Sequence, residues 1–408
     1  MKTVIRPETE MKDSGIEWIG DIPSSWTIFP ANGVFSEVKE KNTDLKFTNA
    51  FSFKYGEIVD KKQVGDVDNN LKETLSSYTI VRKNTIMING LNLNYDFVSQ
   101  RVAIVNESGI ITSAYLAIQP DENKINPRFV LYLLKSYDYQ QVFHGLGSGI
   151  RKTLKYQDFK KIMIVAPTLS EQQVIADYLD KTCSQIDEII AEAKASIYEY
   201  KELKQSVIFE AVTKGLDKNV EMKDSGVYWI GKIPLDWEII KTKYVIKIEN
   251  GSNPSTEGKI PVYGSGAKSF KTCGEYKEGP TVLLGRKGAT LHIPHYIKGK
   301  YWNVDTAFNT IPINNKIELK YFYYVASCFD YNKYISQTTL PGMTQTNYRN
   351  IYMPYPSITI QEELVKWLDN KIFELDSLIS EKESLINDLE AYKKSLIYEV
   401  VTGKRKVV

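Results

Sequence analysis

The chain is 408 residues long, with 42 % hydrophobic and 25 % charged residues, an ordinary globular composition and enough length for two domains that each bury a core. A formal charge of +2 excludes binding of nucleic acid by bulk positive charge, so any such contact has to come from local patches. Cys183, Cys273 and Cys328 lack paired spacing, which excludes a disulfide framework and suggests reduced thiols in the cytoplasm; no run of 18 apolar residues and no signal-peptide core argue for a membrane span.

In chain order, the first motif is MKDSGIEWIGDIPSSW at residues 11–26. The remainder of residues 1–166 reads as α+β. Short β-branched runs such as NTIMING (84–90) and RVAIVN (101–106), punctuated by Gly and Asn, predict strands. NPRFVLYLLKSYDYQQVF (126–143) predicts a helix, and KKIMIVAP (160–167) an apolar strand closed by a proline. Two stretches suit contact with DNA. INGLNLNYD (88–96) offers Asn89, Asn92 and Asn94, whose carboxamides can pair with adenine. GSGIRKTLKYQDFKK (147–161) gathers Arg151, Lys152 and Lys155 with Lys160 and Lys161, a set of phosphate clamps.

From Pro167, PTLSEQQVIADYLD opens a span without Gly or Pro until Gly215. This predicts one long helix over 167–215, about 67 Å long at ~1.5 Å per residue. Apolar residues fall in two heptad rows, Leu179, Ile186, Ala193, Tyr200, Val207 and Cys183, Ile190, Ile197, Lys204, Ala211, the seam of a coiled coil.

Residues 222–237, MKDSGVYWIGKIPLDW, repeat the opening motif at eleven of sixteen positions, at an offset of 211. A second α+β segment completes residues 216–355, with strand runs PTVLLG (280–285) and FNTIPI (308–313), a helical stretch ELKYFYYVASCFDYNKYI (318–335) and the closing RNIYMPYP (349–356). YGSGAKSFKTCGEYK (263–277) brings Ser265, Lys268 and Lys271, and LGRKGAT (284–290) brings Arg286 and Lys287. Glycine there permits close backbone approach. GMTQTNYR (342–349) adds Thr344, Gln345 and Thr346 as candidate base readers.

Residues 356–408 then comprise a second long helix and a C-terminal tail. PSITIQEELVKWLD echoes the first lead-in at an offset of 189, and SLIYEVVT (395–402) echoes SVIFEAVT (206–213). The rows here are Leu368, Leu375, Lys382, Leu389, Leu396 and Ile372, Ile379, Ile386, Lys393, Val400. Two matching seams in one chain most simply pair with each other, and antiparallel pairing would set the globular segments at opposite ends of a rigid spacer. Lysines in a seam cost stability and fix register and partner. The ends of the two repeats agree while the middles differ in sequence and in length, the first by 22 more residues, as the two offsets require. That is the pattern of one scaffold carrying two readers.

No catalytic signature is legible. GSGIRKT (147–153) lacks the Gly before its Lys that a phosphate-binding loop needs, GSNPSTEGK (251–259) has the wrong spacing, and Asn126-Pro127-Arg128-Phe129 lacks the second proline of an adenine methyltransferase motif. His292 and His295 have no evident third metal ligand. The chain is expected to bind no metal and no cofactor. The 27 tyrosines fit either a contact surface or the codon bias of an AT-rich gene.

With both boxes, both helix lead-ins and the VYGSGAK, TVLLGRKG and WNVDTAFNT runs in view, the chain resembles the specificity subunit of type I restriction-modification systems over essentially its whole length. One departure is Ile360-Gln361, where the first lead-in has Glu171-Gln172. The resemblance implies that each middle is a target recognition domain reading one half of a split sequence in double-stranded DNA. It also implies that the helices form an antiparallel coiled coil that sets the gap. Two modification subunits would dock on the helices and boxes, bringing S-adenosylmethionine, and restriction subunits would add ATP- and Mg-dependent translocation and cleavage. The expected function is thus sequence recognition by a non-catalytic subunit; the alternatives are a scaffold that does not bind DNA and an enzyme with an unrecognised site.

Overall fold

The computed structural model describes residues 2–61, 69–266, 268–335 and 341–408. They pack as two compact units, Met1–Glu192 with Leu385–Val408, and Ala193–Ser384. Each unit therefore contains one globular head and a stretch of both long helices.

In the first unit a four-stranded sheet runs Phe35–Glu37, Leu116–Pro120, Ile86–Ile88, Val102–Ile104, and a second runs Glu57–Asp60, Ala50–Lys54, Gly109–Ile111, Thr79–Val81. In the second unit the corresponding orders are Ile246–Asn250, Ala307–Pro312, Thr281–Gly285, His295–Ile297 and Lys271–Cys273, Ile260–Tyr263, Lys300–Asn303, Lys277–Glu278. The chain visits these positions in the same sequence in both heads, and in each the second sheet contains one parallel pair, Ala50–Lys54 with Gly109–Ile111 and Ile260–Tyr263 with Lys300–Asn303. Two heads of unlike sequence thus share one topology. Alternation is lost in the central strands Ile86–Ile88 and Thr281–Gly285, all of whose residues are buried, because both faces are covered.

A head helix packs on each. Pro127–Tyr139 begins with Pro at its first position and Asn126 capping the free amides of Arg128 and Phe129. Its counterpart Leu319–Ala326 is capped by Glu318. The sequence pattern extends a helix over 318–335, but the helix stops at Ala326 and only a 3-10 turn, Tyr331–Lys333, follows. Residues two apart on an α-helix point roughly 200° apart. The break lets both Phe329 and Tyr331 reach the core, at 5 % and 6 % exposure.

The duplicated box is a hairpin, Met11–Asp13 with Asp21–Pro23 and Met222–Asp224 with Lys232–Pro234. Its identities have physical duties. Asp13 and Asp224 accept from the amides of Gly15 and Gly226, whose φ of 67° and 68° favours glycine, and Ser14 and Ser225 accept from the next amide. Lys12 and Lys223 donate across the hairpin to the carbonyls of Ser24 and Leu235. Trp26 and Trp18 pack edge-on against Phe129 and Tyr137 of the first head helix, and Trp229 against Phe329, just beyond the end of the second.

The long helices are Leu169–Lys214 and Ile358–Val401. Among the seam residues, Leu179, Cys183, Ile186, Ile190, Ala193, Ala211, Leu368, Leu375, Ile379, Ile386, Leu396 and Val400 are buried, and Ile197, Tyr200, Val207, Ile372 and Leu389 half-buried. The helices run antiparallel in each unit: Lys393 grips both carboxylate oxygens of Asp187 in the first, and Lys204 those of Asp376 in the second. Each pair is the other shifted by the repeat offset of 189. The residues after Gly403, read as a tail, instead form a strand, Arg405–Val407, antiparallel to Thr3–Ile5.

Candidate nucleic-acid interface

Both heads bring the same two loops together. In the first, the loop after Ile86–Ile88 meets the loop before a short helix, Tyr156–Phe159: the Leu154 amide donates to the Gly90 carbonyl (2.9 Å) and the Leu93 amide to that of Lys152 (3.0 Å). In the second, the loop after Thr281–Gly285 meets the loop before Gln345–Arg349: the Met343 amide donates to the Arg286 carbonyl (2.9 Å) and the Gly288 amide to that of Pro341 (3.1 Å). Leu154 and Met343 are themselves 189 apart, so the helix register extends back into the heads. Candidate residues from separate stretches of sequence meet there: the loops of Asn92 and Asn94 and of Arg151 and Lys152 in the first head, and Arg286 and Lys287 with Thr344 and Gln345 in the second.

In the first head, Asn92 stands exposed with a left-handed backbone, φ 53°, a conformation asparagine tolerates. Arg151 and Lys155 are exposed and Lys152 half-buried. Asn89 and Asn94 serve the loop itself: Asn89 Oδ1 accepts from the Leu91 amide, and Asn94 Nδ2 donates to the Ile150 carbonyl at 3.1 Å, stapling the two loops together. The surface also carries apolar groups that the polar reading of this loop passed over: Tyr95, Phe97, Val98 and Ile150 are all more than half exposed. Apolar side chains at a DNA surface can meet the thymine methyl group.

In the second head, the hairpin turn bearing Ser265 and Lys268 is tied to the GRKG loop by Thr290, whose hydroxyl donates to the Ser265 carbonyl (3.0 Å). Lys268 and Lys287 are exposed, and Lys271 lies on the edge strand with its ammonium over the Phe270 ring. Arg286, Lys287, Phe308, Thr344, Gln345 and Asn347 line a cleft of about 410 Å³. Two of the expected readers have internal tasks: the Thr344 hydroxyl caps the short helix by accepting from the Asn347 amide, and Gln345 Nε2 donates to Asn250 Oδ1. Thr346 is exposed. Asn250 joins the site without a signal in the sequence beyond its polarity, and Asn347 belongs to the same 342–349 stretch as the expected readers.

Arg101 was also missed. It is wholly buried beside the first reader loop, and the one available clue is a charge placed directly before an apolar strand. Asp138, whose carboxylate accepts from the Arg101 amide, has its pKa pushed up to about 6 by burial, partly offset by that hydrogen bond and the guanidinium. Burial pushes the Cys183 thiol up to about 11 and Cys328 up to about 12, as expected of unreactive cysteines. Burial also lowers His295. Among the described residues no three His, Cys, Asp or Glu side chains gather as a metal site, and no helix is long and apolar enough to cross a membrane.

Paired heads of one topology with unlike loops, carried on paired helices, define a duplicated recognition protein. The chain belongs to the family of the type I restriction modification DNA specificity domain, whose model matches it twice, over residues 23–199 and 234–390. It is 22 % identical to each of two Methanocaldococcus jannaschii chains, named as the MjaX and MjaVIII type I restriction enzyme specificity subunits. The matches cover 95 % of this chain in both cases, and 96 % and 94 % of those chains. A shorter match, 25 % identical over 51 % of this chain and 43 % of the relative, is to the EcoBI specificity subunit of Escherichia coli. The fold is shared with a chain from a structure of an assembled type I R-M system (TM-score 0.74, 14 % identity, 94 % and 99 % coverage). It is shared also with the HsdS subunit of Thermoanaerobacter tengcongensis (TM-score 0.54, 14 % identity, 96 % and 99 % coverage).

Proposed function

We propose that this chain is the DNA-reading subunit of a type I restriction-modification complex, each head recognising one half of a bipartite site in double-stranded DNA. The observation that carries the reading is the double family match falling on two heads of identical strand order whose junction loops differ in sequence. The coiled coil sets the gap between half-sites and, with the boxes, docks two modification subunits. The chain itself is non-catalytic. S-adenosylmethionine, ATP and Mg belong to the partner subunits, and the complex works in the cytoplasm. Phosphate contacts come from Arg151, Lys152 and Lys155 in one head and from Lys268, Lys271 and Lys287 in the other. Base contacts come from Asn92 and the exposed apolar crest in the first head, and from the cleft around Arg286 and Gln345 in the second.

The test is single-molecule sequencing of adenine methylation in a methylation-free host that expresses this chain with its modification subunit. A split motif that disappears on deletion of this chain is expected, and replacing residues 238–355 with a relative's segment changes one half of it. A motif unaffected by the deletion removes the reading.

A further inference from the structure

A fully buried guanidinium is costly unless its donors are met. Arg101, at 0 % exposure, stands directly before the strand Val102–Ile104, and its ion-pair partner, Asp96 Oδ2, is as far as 3.7 Å away. Backbone carbonyls meet three of its five N–H groups instead, while Nε is buried without a hydrogen-bond partner. Nη1 donates to the carbonyls of Asn89 and Leu91, both at 2.9 Å, and Nη2 donates to that of Asp96. All three acceptors belong to the one loop that follows Ile86–Ile88. The bond from the Asn89 amide to the Arg101 carbonyl (2.8 Å) closes the loop on the same residue, and the Arg101 amide is anchored on Asp138 Oδ2 at 2.7 Å.

The same Asp96 carbonyl is also met by His144, whose Nε2 lies 2.9 Å from it and whose ring stacks on Phe97 with centroids 4.9 Å apart. The inner side of the loop is thus gathered around one buried cation, and the outer side presents Asn92, Tyr95 (70 % exposed) and Val98 (93 % exposed). The second head closes its loop through the amides of Gly288 and Met343, as the first does through those of Leu93 and Leu154, and the Arg101 fork is an addition in the first head.

We infer that Arg101 is a positioning residue for recognition of the first half-site: it touches no DNA, and it sets the shape in which the loop 89–100 meets the base pairs. The inference rests on the proposed function, because it assigns part of that recognition to a buried group. Three carbonyls spread over eight residues need a forked donor, which Arg provides and Lys does not.

The test uses the full chain with its modification subunit, comparing wild type with Arg101→Met and Arg101→Lys in the methylation-sequencing assay. In the Met variant, methylation at sites with one wrong base pair in the first half is expected to rise at least tenfold relative to the correct site, with the second half read as before. The Lys variant is expected to show a smaller rise, and it carries the test alone should the Met variant not assemble. Assembled variants that reproduce the wild-type motif overturn the inference, as does equal loss of fidelity in both halves, the mark of general destabilisation. A wild-type chain that yields no split motif overturns the functional reading as well, and so is told apart from failure of the inference alone.

Discussion

In the second unit the first long helix runs through Gly215 straight into the second box, whereas in the first unit the equivalent joint is made by two chain ends. There the second long helix ends at Gly403, and the chain pairs back on its own start through Arg405–Val407 and Thr3–Ile5. The local geometry is nevertheless the same. Both glycines have a left-handed φ, 75° and 76°, as a helix C-terminal glycine requires. Gly215 faces Pro234 and Trp237 of one box, and Gly403 faces Pro23 and Trp26 of the other. The comparison teaches that the joint between helix end and box is what was kept in duplication, and covalent continuity across it is dispensable when a strand pair replaces it. Lys404 reinforces the non-covalent version, donating to the carbonyls of Ile19 and Asp21.

The largest effect that would break this equivalence is at the glycines. A Cβ on Gly403 would run into the Pro23 ring, while one on Gly215 would meet Trp237 at 3.3 Å. Gly403→Val is therefore expected to cost about 4 kcal/mol and Gly215→Val about 2 kcal/mol, from strain at positive φ plus overpacking. Hydrogen exchange resolved by segment checks this, since each loss should fall on its own unit; equal losses would mean the two joints are packed alike.

A second comparison should instead come out equal. Gln172 and Gln361 are both buried, each donating to the carbonyl of the proline that precedes its helix (Pro167, Pro356; 2.9 Å). Each also accepts from the first amide of its head helix cap (Asn126, 2.7 Å; Glu318, 2.9 Å). Leucine at either position strands a buried amide and a carbonyl, costing about 2–3 kcal/mol. Denaturant unfolding of the two single variants should give the same loss, and a difference above ~1 kcal/mol would show that the lead-ins differ in more than Ile360.

The smallest effect is confined to the first head. The Asp138 carboxyl has a folded pKa of about 6, above its value in the unfolded chain. Its stabilising contribution is thus full below the unfolded pKa and is lost as pH rises through about 6. Asp138→Asn, which keeps an acceptor for the Arg101 amide, should stabilise the first unit by up to about 2 kcal/mol at pH 8 and by little at pH 4. Thermal unfolding across that range would refute this by showing a gap that does not grow with pH.

The repeat, the strand runs and both seams were legible because each is periodic or local. Leu179, Ile186 and Ile190 declare one face of one helix whatever lies beyond it. Even the Lys204 and Lys393 intrusions could be read as register devices, though Asp376 and Asp187 as their partners could not. Residue type alone did not announce the internal tasks of two expected base readers: Asn94 staples two loops and Thr344 caps a helix.

What the sequence by itself determined was the duplicated scaffold, because hydrophobic period, helix length and a sixteen-residue echo are all properties of neighbouring positions. The tertiary structure decided the rest: that the two chain ends close one joint as a strand pair, that residues 94 and 150 face each other, and that Arg101 is gathered into a loop rather than exposed. Each of these is a hydrogen bond between groups far apart in sequence or shielded from water only after packing, and such bonds leave no period along the chain to read.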